Sequence, residues 1–423
     1  MRTLALNPTL SLIGDPESDE ARTGAFLRST AVLGSAATGA VVLTGAAHLG
    51  LAHRALVPVA LAPLVAVVAA SRLAHPRLRA TSLTALVAVL VEATTGAALT
   101  GTRAAAWAGA AHLVLGTLAF AATAVSAGAS LRGGATPLGP WRDYLALTKP
   151  RIMVLLLVTA AGGMFVAAHG VPSLRALALT MLGGALASGG ASALNHVMDR
   201  DVDRRMLRTS TRPVAATRVG PSAALEFGLA LSAASFVLLA SLVNVLAALL
   251  ALAGNLVYVL VYTGWLKRST PRNIVIGGAA GAIPPLVGWA AATGHLSIPA
   301  LWLFLTVFFW TPPHFWALAL LMRADYAAAG IPMLPVVRGE IETTRQILRY
   351  SLVLVAVTLA PYASGTLGLA YLVPALVLGG AFVWLALRLR ADPTPSRARV
   401  LFHFSLAYLA ALFLAMAVAP LVG

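Results

Sequence analysis

The chain has 423 residues, of which 59% are hydrophobic and only 10% charged, and it carries a net charge of +16 with no cysteine. So few charges cannot coat a soluble protein of this size, and the lack of cysteine excludes disulfides, thiolate metal sites and a cysteine nucleophile. Apolar runs near 20 residues recur along almost the whole length, the mark of a polytopic helical membrane protein. The positive charge then reads as the cytoplasmic lysine and arginine bias of such proteins, and no nucleic acid is implied.

Residues 1–28 hold four acids between Asp15 and Glu20 and lack a secretory pattern, so they read as a short cytosolic tail. Thirteen spans follow. Four fall near 30–50, 55–72, 80–101 and 106–128, forming a four-span membrane domain over 29–130. A Gly/Pro-containing linker covers 131–147. Nine more spans fall near 152–168, 175–194, 222–242, 244–264, 274–292, 299–321, 347–367, 369–388 and 401–421, within a domain over 148–423. The fold class is all-α integral membrane.

The loops beyond the linker alternate in charge. One set carries Lys149 and Arg151, Arg200 to Arg218, Lys267 to Arg272, Arg323 to Arg345, and Arg390 to Arg399; the other holds little beyond His169, Arg175 and His295. The basic set belongs on the cytoplasmic side, in a multi-pass bacterial cell (inner) membrane protein.

The densest chemistry lies at Asn195-His-Val-Met-Asp199-Arg-Asp201-Val-Asp203. Three of the chain's 14 acidic residues fall within five positions, and five arginines reach to Arg212. On a helix, Asn195, Asp199 and Asp203 share one face. A row of hard oxygen donors suits Mg²⁺, and flanking arginines suit a diphosphate bridged by that metal. Asp201 points off the row. Arg208 and Arg212 are candidate diphosphate clamps, as are Lys149, Arg151, Lys267 and Arg268 from the other basic loops. A solvated, charge-paired loop is the plain alternative, but carboxylates at a membrane edge are costly and usually functional.

Asp325 opens a second acidic segment at the end of another span, with Tyr326 beside it as a phosphate cap or interface marker. Within the preceding span, Trp310, His314, Phe315 and Trp316 form an aromatic stretch with two prolines. It reads either as tight packing or as the wall of a pocket whose π faces would stabilise a carbocation.

Residues 143–420 resemble the protohaem IX farnesyltransferases (haem O synthases) of the intramembrane aromatic prenyltransferase (UbiA) superfamily. The likeness is carried by Thr148-Lys-Pro-Arg-Ile152, the Asn195/Asp199/Asp203 row, Arg212-Pro213, Trp265-Leu-Lys-Arg268, Pro312-Pro-His-Phe-Trp316 and Asp325-Tyr326 with Gly330-Ile-Pro-Met-Leu-Pro335. The resemblance implies a nine-helix bundle in which Asn195, Asp199, Asp203 and Asp325 hold Mg²⁺ on farnesyl diphosphate. It also implies haem B as acceptor, haem O as product, and haem A synthase or oxidase assembly proteins as neighbours. The wider superfamily's second motif is Asp-x-x-x-Asp, but position 329 here is Ala. A prenyltransferase for a quinone precursor such as 4-hydroxybenzoate, or a non-catalytic haem-binding membrane protein, are the alternatives. The first four spans resemble half of a haem A synthase, with His53 and His112 as candidate haem ligands and Glu92 an in-span acid without a role.

Overall fold

The computed structural model describes residues 140–422 continuously, with scattered helical positions between 37 and 119. The chain divides into two compact units, 1–135 and 136–423. In the first, Ala85 and Val89 pack with Ala119. His53, Glu92 and His112 lie outside the described residues.

In the second unit, nine helices are long and apolar enough to cross a membrane among the described residues. A short helix α1 (Trp141–Leu147) occupies part of the stretch read as linker. Then come α2 (Pro150–Ala167), α3 (Leu174–Met198), the short α4 (Arg200–Arg205), α5 (Pro221–Leu242), α6 (Val245–Ser269), α7 (Asn273–Thr293) and α8 (Ile298–Leu321). Two short helices, α9 (Arg323–Ala328) and α10 (Leu334–Val337), lead to α11 (Gly339–Ala363), α12 (Leu369–Ala391) and α13 (Pro395–Val422). The unit is all-helical among the described residues.

The helix ends follow local chemistry. Pro150 and Pro221 open α2 and α5, where a missing N–H costs nothing. Ser173 caps α3 by accepting from the Ala176 N–H. Asn244 accepts from the Ala247 N–H at 2.8 Å and donates to the Ala290 carbonyl, tying the start of α6 to the end of α7. Gly294, at φ 76°, ends α7 in the left-handed region that glycine enters freely.

Each long helix packs against its chain neighbour, and α13 returns to α2, closing a ring of nine. Contacts of α7 with α2 and of α8 with α13 cross its interior. Small residues permit the closest approaches: a Cβ on Gly288 would strike the Ala160 carbonyl of α2, and one on Gly190 would lie 2.8 Å from the Gly228 carbonyl of α5. In lipid, where burial of apolar surface between helices contributes little, such close van der Waals packing is what joins them.

Two departures from the sequence reading matter. The seventh span of the unit begins at Gly339 and ends at Ala363 instead of covering 347–367, because its first turns carry Glu340, Glu342 and Arg345 yet remain helical. And α6 is π-helical from Val257 to Leu266, which apolar periodicity does not reveal.

Candidate active site

One end of the ring gathers the C-termini of α3, α6 and α8, the N-terminus of α2 and the segment 206–219 between α4 and α5. Asp199 caps α3 at φ −91°, ψ 3°, so the helix breaks there and restarts as α4. The row survives the break, because the Asp203 N–H bonds the Asp199 carbonyl at 2.7 Å. Asn195, Asp199 and Asp203 are all at most 3% exposed.

Each member is held by residues distant in sequence. Asn195 Nδ2 donates to Asp199 Oδ2 at 2.7 Å and to Thr263 Oγ1 at 3.1 Å. Thr263 sits in the π-helical stretch and itself donates to the Tyr258 carbonyl five residues back. Lys149 Nζ donates to Asn195 Oδ1 at 2.7 Å. Lys267 Nζ donates to Asp199 Oδ2 at 2.6 Å, and Arg212 places one nitrogen 2.8 and 2.9 Å from the two oxygens of Asp203.

Lys149 has backbone angles φ 50° and ψ 62°, left-handed for a non-glycine residue. Pro150 bars the ordinary helical region to the residue before it. Strain of this kind persists where the surroundings fix the residue, and here the side chain is aimed into the acidic row. Burial, and next the nearby Arg212 charge, pull the Lys149 ammonium from its ordinary range down to about 7.

Asp325, from α9, receives the backbone N–H of Arg208 at 3.5 Å, so the second acidic segment meets the 206–219 segment. Tyr326 is buried, and that burial raises its hydroxyl pKa against the opposing Arg208 and Arg212 charges. Two other basic candidates sit differently. Arg151 is exposed. Arg268 grips Asp201 with two bonds of 2.9 and 3.0 Å and the Met198 carbonyl at 2.7 Å, standing 3.9 Å from Asp199. This grip, ahead of the cost of burial, lowers the Asp201 pKa.

Among the described residues no three His, Asp or Glu side chains already converge as a metal cluster. Lys267 and Arg212 instead neutralise Asp199 and Asp203 directly. One oxygen fits a metal nonetheless: Asp199 Oδ1 is buried without a hydrogen-bond partner. With only the Arg268 guanidinium at 3.9 Å, too far to hydrogen-bond it, an oxygen so placed is costly unless a cation completes it.

Deeper in α8, Trp310 and His314 lie one turn apart with rings stacked at 4.4 Å, and Phe402 of α13 stacks on the other side of His314 at 4.8 Å. Phe315 meets His314 edge-on at 5.5 Å. Trp316 turns away to meet Tyr350 of α11 edge-on at 5.2 Å. Thr263, Phe402 and Ser405 fall in stretches that carry the family likeness but received no role from the sequence; each lies in an apolar run, and its distant partner is what distinguishes it.

The fold and site define a polytopic helical membrane protein with a buried oxygen-rich row ringed by cations at one end of the bundle. Residues 155–417 match the model of the UbiA prenyltransferase family. A protoheme IX farnesyltransferase of Symbiobacterium thermophilum is 55% identical over 277 residues, covering 65% of this chain and 93% of that relative. One of Roseiflexus sp. is 53% identical over 277 residues, 66% of this chain; the matched segment spans about half of that longer relative, 52%. Among solved structures, a digeranylgeranylglyceryl phosphate synthase aligns at TM-score 0.56 and 18% identity, covering 66% of this chain and 98% of that one. A UbiA homolog from Archaeoglobus fulgidus bound to GPP and Mg²⁺ aligns at TM-score 0.50 and 20% identity, covering 65% and 99%. Likeness at these identities shows the shared fold. The chain belongs to the UbiA prenyltransferase family.

Proposed function

We propose that this chain transfers the farnesyl group of farnesyl diphosphate to a vinyl group of haem B, with addition of water, giving haem O. The observation that carries the chemistry is the buried Asn195–Asp199–Asp203 row, in which Asp199 Oδ1 lacks a hydrogen bond, ringed by Lys149, Lys267 and Arg212. The acceptor and donor are supported by the relatives' names, at identities above 50%.

Asn195, Asp199 and Asp203 hold Mg²⁺ in this reading, with Asp325 approaching from α9. When bound, the metal supplies Lewis-acid charge to the diphosphate oxygens. Lys149, Lys267, Arg208 and Arg212 meet the remaining negative charge, and Tyr326 caps it. The C–O bond of the allylic diphosphate breaks and its electron pair leaves on oxygen. The cations that stabilise this pair therefore act most strongly as the bond breaks. The vinyl π electrons form the new C–C bond. Water adds to the cation so generated and releases one proton. Trp310, Phe315 and their neighbours line a dry, aromatic interior deeper in the bundle that would take the apolar parts of the substrates away from bulk water.

In this reading this end of the bundle lies on the cytoplasmic face of the bacterial inner membrane, as its lysine- and arginine-rich loops support. Haem A synthase or oxidase assembly proteins would take the product onward. Membranes carrying the full chain, incubated with haem B, farnesyl diphosphate and Mg²⁺, should yield haem O by mass spectrometry, and none with EDTA. Prenylated 4-hydroxybenzoate without haem O would assign the quinone-precursor reading instead.

A further inference from the structure

Polar side chains inside a membrane span are expensive unless satisfied, and those left partly satisfied mark function. His314 is such a group, 7% exposed in the middle of α8. Its tautomer follows from its neighbours. Ser405 Oγ lies 2.7 Å from His314 Nδ1, and the serine's own proton is committed to the Phe402 carbonyl at 2.6 Å. The hydroxyl therefore accepts from Nδ1–H, and the lone pair resides on Nε2. The serine is fixed in turn, since Trp310 Nε1 donates to its carbonyl at 2.7 Å. Near-parallel stacking by Trp310 at 16° and Phe402 at 23° holds the ring plane.

Nε2 has no hydrogen-bond partner among the described residues. It is not sealed off, as both nitrogens of the fully buried His196 are. A neutral imidazole with Nδ1–H tied to an oxygen, its ring clamped and Nε2 free, is the arrangement of a metal-ligating histidine with its orienting partner in place. Two roles use that lone pair: iron ligand, or base for the added water. A base must come within ~3 Å of water bound at the reacting carbon. His314 lies seven residues before the end of α8, about 10 Å of helix rise. Asp325 lies beyond that end. The metal at a macrocycle's centre sits back from its vinyl edge, so the separation suits a ligand to the iron better than a base at the edge.

We infer that His314 Nε2 is an axial ligand to the iron of the porphyrin acceptor, with Ser405 as its positioning residue, so that iron ligation sets the acceptor's depth and orientation in the bundle. This rests on the reading of haem as acceptor and adds a role for the chain's own imidazole. No covalent step is involved: the Nε2 lone pair bonds to the iron of the bound substrate.

The test uses the purified full-length protein titrated with haem B, with Zn protoporphyrin IX and with metal-free protoporphyrin IX, read by Soret absorption, magnetic circular dichroism and fluorescence. Because His53 and His112 are also candidate ligands, every variant is made with both changed to Ala. Wild-type His314 should give a nitrogen-ligated haem spectrum and bind Zn porphyrin at least about tenfold more tightly than the metal-free ring. His314→Ala should remove both signatures, and imidazole added to His314→Gly should restore the spectrum. Ser405→Ala should keep the ligated spectrum but weaken metalloporphyrin binding about tenfold. If His314→Ala cannot be purified folded, the metal dependence and Ser405→Ala decide. An unchanged spectrum in His314→Ala, or equal affinity for the metal-free ring, overturns the inference. Haem O formation assayed alongside separates the cases: product with no change on losing His314 sinks the ligand role alone, whereas no product from wild type sinks the haem reading itself.

Discussion

Lys267 and a metal would share the Asp199 carboxylate, Lys267 on Oδ2 and the metal on Oδ1, which makes Lys267→Met a sharp test of the site. In the present structure Nζ lies 2.6 Å from Asp199 Oδ2, with side chains 11% and 1% exposed. Removing one partner of a buried pair costs about 3–5 kcal/mol, because the other charge stays buried. Asn195 Nδ2 still donates to that oxygen at 2.7 Å, which places the expected loss near the low end, about 3 kcal/mol. The effect on Mg²⁺ runs the other way. A unit positive charge ~4 Å from a doubly charged metal, at an effective dielectric near 20, opposes binding by about 8 kcal/mol at most. Even about a sixth of that is tenfold in affinity. Lys267→Met should therefore unfold more readily in detergent without metal, and Mg²⁺ alone should protect it at a concentration at least about tenfold lower than wild type needs. Its KM for farnesyl diphosphate should rise, since a phosphate contact is lost. The assay is thermal unfolding against Mg²⁺ concentration, with EDTA and Ca²⁺ as controls. Wild-type stability without metal together with an unchanged Mg²⁺ midpoint would refute the placing of the metal on Asp199.

Asp199→Ala and Asp203→Ala should each abolish turnover in protein that still purifies folded; full activity of either at saturating Mg²⁺ removes it from the metal set. Thr263→Val leaves the buried Asn195 amide short of an acceptor, so it should cost about 1–3 kcal/mol and lower kcat, with Thr263→Ser recovering most of both. Gly288→Ala drives a Cβ into the Ala160 backbone, where no side chain can yield, so little monodisperse protein should be recovered; a normal yield would show that α2 and α7 can separate. Removing residues 1–135 should leave haem O formation near the full-length level, since a relative from Symbiobacterium is matched over 93% of its length by the remaining part of the chain; an inserted but inactive truncation would make the first unit a working part of the enzyme.

The spans of the second unit were legible because lipid imposes one rule along each of them, a run of apolar residues, and composition reports that rule directly. It fails where a helix outlasts its apolar stretch. Glu340, Glu342 and Arg345 lie in the first turns of α11, and α6 and α13 likewise extend past their apolar windows into Lys267–Ser269 and Pro395–Arg399. The Asp row was legible as a spacing of four, and it holds even though the helix breaks at Asp199. The π-helical stretch was invisible, because a shift of hydrogen bonding from four to five residues leaves no mark in an all-apolar sequence. Yet it carries Thr263 to Asn195.

What sequence could not separate was one cation from another. Membrane topology fills every loop on one side with lysine and arginine, so a positive residue near the acidic row carries little information by itself. Pairing and burial supply the difference. Lys149, 46 residues from Asn195, and Lys267, 68 residues from Asp199, turn inward onto the row, while Arg151, two positions from Lys149, faces out. Arg268, next to Lys267, bonds the exposed Asp201 at 2.9 Å and reaches Asp199 only at 3.9 Å. That pairing has a consequence for the site. By occupying Asp201 and the Met198 carbonyl, Arg268 braces the turn at which α3 breaks, and the break is what lets Asp199 and Asp203 lie on separate helical pieces and still present one face. Arg268 thus acts on the acidic row through the backbone that carries Asp199 and Asp203.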